Sequence, residues 1–438
     1  MKKSTKRLML VIFILIGSLS QAQLPGYIPG DENYTLTLTF HKADTVLVVV
    51  PHNYTITDQE KTAIENYVFW GEYQKKPVYI YKTEAELTAE DQWRNLQFYG
   101  PFCDFQLDEI QATPFQQVEG GFLFNHERFS RPDDAFFYLN DEATRLYTCR
   151  NSAGAWHQYA NYAAGYFPLY IFRGNEVYAS GFCSGNSGET RVNYLSKMRD
   201  PYFETISTRF FDFEVAKTIC TDSLKQVILD QADKSLEVLC KVLETDTSDF
   251  ERMRTYVYQN MLDLQQFLSM SPKMTIYGKS FGTVNHVSTF DMAVFKHELA
   301  HTAIGCKVGF QPNSFFCEGF AVYSGYLFED NSYTSDLEAT KNDLDLLTEE
   351  AIVGDDHRFY SLPPMYPISG VFTRFVINKI GVGTFKKIYA QENIENAFPE
   401  AGFPLAGLIA EFKNYLSGSE TSGRWLASPK AGDHSIKK

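Results

Sequence analysis

The pentapeptide His297-Glu298-Leu299-Ala300-His301 constrains this 438-residue chain more than any other part of its sequence. Residues four apart share one face of an α-helix, so a helix here would point both imidazoles the same way. Glu298 would lie beside them, about 100° round the helix axis from His297. The pattern therefore predicts a helix with a pair of histidines on one face and an adjacent carboxylate.

The neighbouring residues also favour a helix. We predict that Ser288 caps its N-terminus, with Asp291 completing a capping-box pattern, and that Gly305 ends it. Apolar residues recur on a face separate from the histidines, which predicts packing against a core: Met292, Phe295, Leu299 and Ala303.

Two imidazoles beside a carboxylate are the groups that a hydrolytic zinc site requires, since the imidazoles bind the ion and the carboxylate accepts a proton from water. Glu318, 17 residues after His301, is the candidate third ligand. It lies on a second predicted helix capped by Asn313 or Ser314, where the small Gly319 and Ala321 would allow close helix packing. Two alternatives remain: histidines on a surface helix that bind nothing, and a first-turn glutamate favoured only by the helix dipole.

A HExxH helix followed by a Glu-Gly-x-Ala-x-Tyr helix, with Phe315 three residues before the glutamate, resembles the gluzincin metallopeptidases. The resemblance covers roughly residues 207–416 and is to thermolysin-like and aminopeptidase-like catalytic domains. It implies one Zn²⁺ per chain, bound by His297, His301 and Glu318. It also implies that Glu298 is the general base of peptide hydrolysis.

Two further segments resemble the same family. Tyr366-Pro367 opens a predicted helix ending near Gly381, and the resemblance implies that Tyr366 stabilises the tetrahedral intermediate; simple packing of Tyr366 is the alternative. Residues 282–287 lie where gluzincins place an edge strand that pairs with substrate. His286 would then be a substrate contact or a solvated strand residue.

Two features depart from the family pattern. The chain lacks the Gly-x-Met-Glu-Asn motif whose glutamate binds the substrate's free amine in the aminopeptidases, which counts against exopeptidase action without deciding between endopeptidase and exopeptidase. Val322 replaces the acidic residue that braces a zinc histidine in thermolysin-like enzymes, so other side chains must support the histidines. A disulfide between Cys306 and Cys317, which would fix Glu318 relative to His301, is a further hypothesis.

The N-terminus has the pattern of an export signal. Four basic residues precede the apolar run 8–16, and Ser20-Gln21-Ala22 offers a cleavage site. The run is too short to remain as a membrane anchor. We therefore expect a periplasmic or extracellular protein without stable membrane insertion after signal removal.

Charge and composition narrow the possible partners. The net charge is −14, and loss of the four positive charges of the signal would leave −18. An acidic surface repels nucleic acid, so we expect a peptide or protein substrate and no nucleic acid partner. The 36 Phe and 27 Tyr residues indicate aromatic-rich cores, although a carbohydrate-binding groove is an alternative.

The predicted fold class is α+β: a gluzincin-like domain with a small mixed sheet and a helical bundle, preceded by an α/β domain. The predicted segments are a signal peptide at 1–22, the α/β domain at 23–205, the zinc peptidase domain at 206–418 and a flexible polar tail at 419–438. We expect strands at 45–50, 77–81, 95–99, 135–139, 169–172, 206–213 and 254–258, and helices at 57–70, 214–243 and 261–270. The main alternative function is a catalytically inactive binding protein with a peptidase fold.

Overall fold

The computed structural model describes residues 24, 27–28, 40, 43–66, 77–152, 167–174, 176–183, 190–270, 275–309, 313–328, 330–354, 356–391 and 393–417. The predicted signal peptide, the predicted tail and residues 67–70 of the first predicted helix lie outside these residues. Within the described part of the chain, no helix is both long enough and apolar enough to cross a lipid bilayer.

The strands of the described residues form three sheets. In chain order they are β1 (Thr45–Val50), β2 (Val78–Thr83), β3 (Asn95–Pro101), β4 (Gln116–Val118), β5 (Gly121–Phe124), β6 (Glu127–Phe129), β7 (Asp134–Leu139), β8 (Arg145–Arg150), β9 (Leu169–Arg173), β10 (Glu176–Cys183), β11 (Thr190–Tyr194), β12 (Phe203–Ser207), β13 (Phe211–Ala216), β14 (Met253–Tyr258), β15 (Gly278–Phe281) and β16 (Val284–Ser288).

The described helices lie mostly in the C-terminal half. In chain order they are α1 (Asp58–Asn66), α2 (Asp108–Gln111), α3 (Leu195–Tyr202), α4 (Asp222–Leu243), α5 (Met261–Phe267), α6 (Met292–Lys307), α7 (Ser314–Tyr326), α8 (Asp330–Asn342), α9 (Glu349–Val353), α10 (Asp356–Ser361), α11 (Met365–Ile380), α12 (Val382–Tyr389), α13 (Ile394–Glu400) and α14 (Leu405–Leu416). Strands and helices together make the chain an α+β protein, as the sequence predicts.

The first sheet has the strand order β11-β10-β9-β7-β8-β3-β1-β2. Its β2-β1-β3-β8 half is parallel, and its β8-β7-β9-β10-β11 half is antiparallel. Strand β1 has the sequence Thr-Val-Leu-Val-Val-Val and is buried on both faces from Val46 to Val50, as expected for a parallel strand covered on each side. The small sheet β4-β5-β6 packs its phenylalanines against one face of this first sheet.

The second sheet has the order β12-β13-β14-β16-β15, with β15 at one edge. One face packs against α4, α6, α7 and α11 in the largest core cluster. The other face packs against the first sheet in a shared cluster, in which Tyr256 and Tyr258 of β14 meet residues such as Tyr170 of β9. Strand β12 spans residues 205 and 206, where the sequence analysis places a domain boundary, and it pairs with β13 of the second sheet.

Several predicted boundaries are wrong. The predicted strand 206–213 is a hairpin of β12 and β13, and β13 continues to Ala216 because Phe211, Phe213 and Val215 alternate inward. Helix α4 therefore begins at Asp222, where the Thr221 side chain accepts a hydrogen bond from the Leu224 amide. The aromatic residues fill cores as predicted, and in the described residues the exposed large aromatic side chains are Trp93, Tyr277 and Tyr360.

Candidate metal centre

Helix α6 carries both histidines. Its N-terminal cap is Asp291, which accepts a hydrogen bond from the Ala293 amide, so the predicted Ser288 cap is wrong. Ser288 instead ends β16 and donates through its hydroxyl to the Tyr277 carbonyl. The predicted stop at Gly305 is also wrong: the helix continues to Lys307, with open space where a side chain at Gly305 would lie.

One face of α6 is anchored in the core. Phe295, Leu299 and Ala303 are fully buried in the cluster beneath the second sheet, as their spacing predicts. The histidine side chains keep 25% exposure at His297 and 16% at His301, so α6 presents them at the edge of the core. The histidine face is therefore held in place by the packing of the other face.

Helix α7 carries Glu318. Asn313 caps this helix by accepting a hydrogen bond from the Phe316 amide, one of the two predicted caps. Gly319 faces α11 so closely that an added Cβ would lie 2.4 Å from Oγ1 of Thr373 and 2.8 Å from the Ser369 carbonyl oxygen. Close packing at Gly319 thus fixes α7 against α11, and it is α7 that brings Glu318 to α6.

The three predicted ligands converge. Nε2 of His297 lies 3.1 Å from Oε2 of Glu318, and Nε2 of His301 lies 3.5 Å from the same oxygen. The two Nε2 atoms are 3.2 Å apart. Zinc bonds of about 2.0–2.1 Å in tetrahedral geometry place their ligand atoms about 3.3 Å apart. The three side chains therefore form a triangle that fits one face of a zinc coordination shell.

The same three groups interact strongly with one another. Burial favours the neutral form of Glu318, but the nearby imidazoles outweigh it and hold the pKa of this carboxyl well below its usual range. Burial likewise opposes the charge of His301, yet Cys317 and Glu318 raise the pKa of its imidazole well above the usual value. A divalent cation would supply the positive charge that this cluster attracts.

Glu298 lies on the side of α6 that faces β15. Its side chain is buried, and its Oε2 accepts a hydrogen bond of 2.5 Å from the Ser280 hydroxyl. A Cβ at Gly278 would lie 2.5 Å from Oε1 of Glu298, so the glycine makes room for the carboxylate. Strand β15 thus orients the Glu298 carboxylate, the predicted general base, through Ser280 and Gly278.

His301 has a second partner at its other ring nitrogen. Nδ1 of His301 lies 3.5 Å from Sγ of Cys317, and Cys317 in turn hydrogen-bonds to the buried Tyr389. The hypothesised disulfide is wrong, because Cys306 and Cys317 are both free thiols. Cys317 instead contacts the position at which carboxylates or carbonyls commonly support a metal-bound imidazole. Val322 lies against Gly370 of α11, away from the histidines.

Two tyrosines lie beside the cluster. Tyr366 is the second residue of α11, which begins at Met365 and ends at Ile380, so it lies at the start of this helix as the sequence predicts. Burial raises the pKa of the Tyr366 phenol, and the negative charges of Glu318 and Glu298 act in the same direction. Tyr360 of α10, which the sequence analysis missed, packs on Tyr366 with ring centroids 6.3 Å apart and donates a 3.1 Å hydrogen bond to Oε1 of Glu318.

The edge strand and His286 differ from expectation. The edge of the second sheet is β15, while β16, which contains His286, lies between β15 and β14. His286 is 1% exposed, and its Nδ1 lies 2.7 Å from the Tyr258 hydroxyl. Both predicted roles for His286, substrate contact and solvated residue, are therefore wrong, because its side chain faces the core shared with the first sheet.

No protein-family model and no curated protein matches this chain.

Proposed function

We propose that this chain is a zinc-dependent peptidase of the gluzincin type, with a single zinc site formed by His297, His301 and Glu318. The observation that carries the proposal is the triangle of ligand atoms from His297, His301 and Glu318, with sides of 3.1, 3.2 and 3.5 Å. Glu298 directly follows the first of these ligands on the same helix. A structural zinc site is closed by four protein ligands, whereas three ligands leave one position for water or substrate.

The proposed reaction is hydrolysis of a peptide bond. His297, His301 and Glu318 would hold the zinc, which when bound would polarise the scissile carbonyl and make water more acidic. Glu298 would take a proton from the water that adds to the scissile carbonyl carbon and would pass it to the amine nitrogen as the C–N bond breaks. Ser280 holds the Glu298 carboxylate through the bond to Oε2, so the base is oriented before substrate arrives. Tyr366 donates a hydrogen bond to the developing oxyanion.

We also propose that the protein is exported. The basic residues, apolar run and cleavage site of residues 1–22 favour export to the periplasm or the cell exterior, with peptides or proteins as substrates. The acidic net charge continues to disfavour a nucleic acid partner.

The test compares zinc-loaded wild type with Glu298→Gln on a diverse peptide library. We expect wild type to cleave, a chelator to abolish cleavage, and Glu298→Gln to keep its zinc while losing activity by about a hundredfold or more. If neither protein cleaves any peptide although both bind zinc, the enzyme proposal fails and the inactive binding protein is favoured.

A further inference from the structure

A cleft lined by arginines lies where the first and second sheets meet. Its volume is about 320 Å³, and we call it the arginine cleft. Its lining comes from the β6–β7 connection, from the ends of β9, β10 and β14, from α3 and from the β15–β16 turn with the start of β16. The lining residues are Arg131, Arg173, Glu176, Tyr178, Ser196, Arg199, Arg254, Thr283 and Val284. Four guanidinium groups around one carboxylate are unexpected in a chain whose net charge is −14.

Glu176 holds two of the guanidinium groups side by side. Arg199 pairs with Oε2 of Glu176, and Arg254 pairs with Oε1 at 3.1 Å. The Tyr256 hydroxyl also donates to Oε1 at 2.7 Å, and the Arg199 guanidinium lies 5.1 Å from the Tyr256 ring centroid. Arg199 is thereby fixed in the floor of the cleft, while the Arg254 side chain stays 49% exposed at its rim.

The opposite wall carries the other two arginines. Arg173 contacts Asp134 at 3.4 Å and Glu127 at 3.6 Å and stacks on the Tyr178 ring. Arg131 is exposed, and its backbone is fixed because its amide donates to Oδ2 of Asp134. Within the described residues, no carboxylate forms an ion pair with the Arg131 side chain.

The charges in this cluster do not cancel. The four arginines face Glu176 within the cleft, and Glu127 and Asp134 contact Arg173, which leaves one positive charge among these groups. Guanidinium groups present planar pairs of N–H donors that match the oxygens of a carboxylate or phosphate. The Thr283 hydroxyl adds a neutral donor to the same lining, whereas the Tyr178 hydroxyl donates to Glu127.

We propose that the arginine cleft is a binding site for a small ligand with a carboxylate or phosphate group, separate from the zinc site. Arg254 and Arg131 contact the anion from the two walls, and Arg199 supplies fixed positive charge beneath it. This inference does not depend on peptidase activity, because none of the cleft residues belongs to the proposed metal centre. Binding at the contact of the two sheets would also join them more tightly.

The test titrates inorganic phosphate and N-acetylglutamate separately into full-length protein by calorimetry, at constant ionic strength. We expect saturable binding of at least one anion, and about tenfold weaker binding in both Arg131→Gln and Arg254→Gln. Saturation by phosphate alone assigns a phosphate ligand, and saturation by N-acetylglutamate alone assigns a carboxylate ligand. Because Arg131 forms no ion pair in the described structure, Arg131→Gln tests the site without loss of a structural contact.

The matched control is Arg209→Gln, which removes one exposed positive charge outside the cleft. Affinity should stay within about twofold of wild type in this variant, since charge far from a ligand is screened by salt. The proposal is overturned if neither anion binds saturably, or if all three variants weaken binding equally. Zinc content, measured in the same samples, reports separately on the proposed metal centre.

Discussion

The Tyr360 hydroxyl donates to Oε1 of Glu318 at 3.1 Å, while Oε2 of the same carboxylate faces the two imidazoles. The two oxygens thus have separate partners: one is held by a protein donor and the other is directed at the proposed zinc position. Supporting hydrogen bonds of this kind orient metal ligands and tune their affinity.

Loss of the Tyr360 hydroxyl should therefore weaken zinc binding. We predict that Tyr360→Phe raises the zinc dissociation constant by about tenfold, because Oε1 of Glu318 loses its donor. Tyr366→Phe is the comparison: its hydroxyl is proposed to act on substrate, so kcat should fall while the zinc dissociation constant stays unchanged. Competition with a chromogenic chelator measures both constants. Equal zinc affinity of Tyr360→Phe and wild type would refute the supporting role.

Cys317 should support His301 in a similar way. Replacement of Cys317 by alanine leaves Nδ1 of His301 without its 3.5 Å partner, so we expect about tenfold weaker zinc binding. Cys317→Ser keeps a polar atom at this position and should retain more affinity than the alanine variant. Cys306→Ala, at an exposed free thiol, is the control and should bind zinc like wild type. If Cys317→Ala also does so, the contact has no role in metal binding.

Gly278 should matter for catalysis more than for metal binding. A methyl group at Gly278 would displace the Glu298 carboxylate, whose Oε1 would lie 2.5 Å from it. We predict that Gly278→Ala lowers kcat about tenfold or more, because the displaced Glu298 carboxylate would no longer be aligned with the attacking water. Zinc content should stay at the wild-type level. Steady-state kinetics and metal analysis of the same sample measure kcat and zinc content separately. Wild-type kcat would show that β15 does not position Glu298.

Two glycines in neighbouring helices should respond oppositely to alanine. Gly305→Ala should raise the free energy of unfolding by about 0.5–1 kcal/mol, because the site is helical and open. Gly319→Ala should lower it by about 1–3 kcal/mol, because the new Cβ meets Thr373 and the Ser369 carbonyl. Urea unfolding measures both values. Stabilisation by Gly319→Ala would contradict the tight contact of α7 with α11.

His286 should make stability depend on pH. Burial lowers the pKa of His286 from 6.5 to about 3, with Arg199 acting in the same direction and Glu176 opposing it. Between pH 3 and pH 6.5 the unfolded state therefore binds more protons than the folded state. The contribution of the neutral imidazole to the free energy of unfolding is fully present above pH 6.5 and is lost as the pH falls towards 3. Between pH 7 and pH 5 this loss is about 2 kcal/mol.

The matched variant for this pH effect is His286→Gln, which cannot titrate. Its free energy of unfolding should fall less than that of wild type between pH 7 and pH 5, by the amount assigned to His286. Other titrating groups contribute to both proteins and cancel in the difference. Parallel pH profiles would show that the imidazole is not buried in its neutral form.

The sequence predicts those parts of the site that local periodicity determines. His297 and His301 share a face because of the helical repeat, and Glu318 follows on the next helix with a recognisable cap at Asn313. The α+β class follows from the mixture of buried strand runs and amphipathic helices. These features require only residues close together in the chain.

The remaining contacts depend on tertiary packing. Tyr360 lies 42 residues beyond Glu318 on the six-residue helix α10, which has no motif that predicts its direction. Ser280 belongs to the four-residue strand β15, whose sequence Gly-Lys-Ser-Phe has little strand character. The family resemblance predicts the edge strand at residues 282–287 instead. Only Cys317, adjacent to Glu318, could have been proposed from sequence as a support for the ligands.

The central claim is that one zinc ion binds to His297, His301 and Glu318, and zinc content tests it most directly. Wild type, His301→Ala and the control His52→Ala, at an exposed histidine outside the cluster, would be saturated with zinc, dialysed and measured by mass spectrometry. We predict about one zinc per chain in wild type and His52→Ala, and nearly none in His301→Ala. Equal zinc content in all three proteins, or none in wild type, would contradict the account.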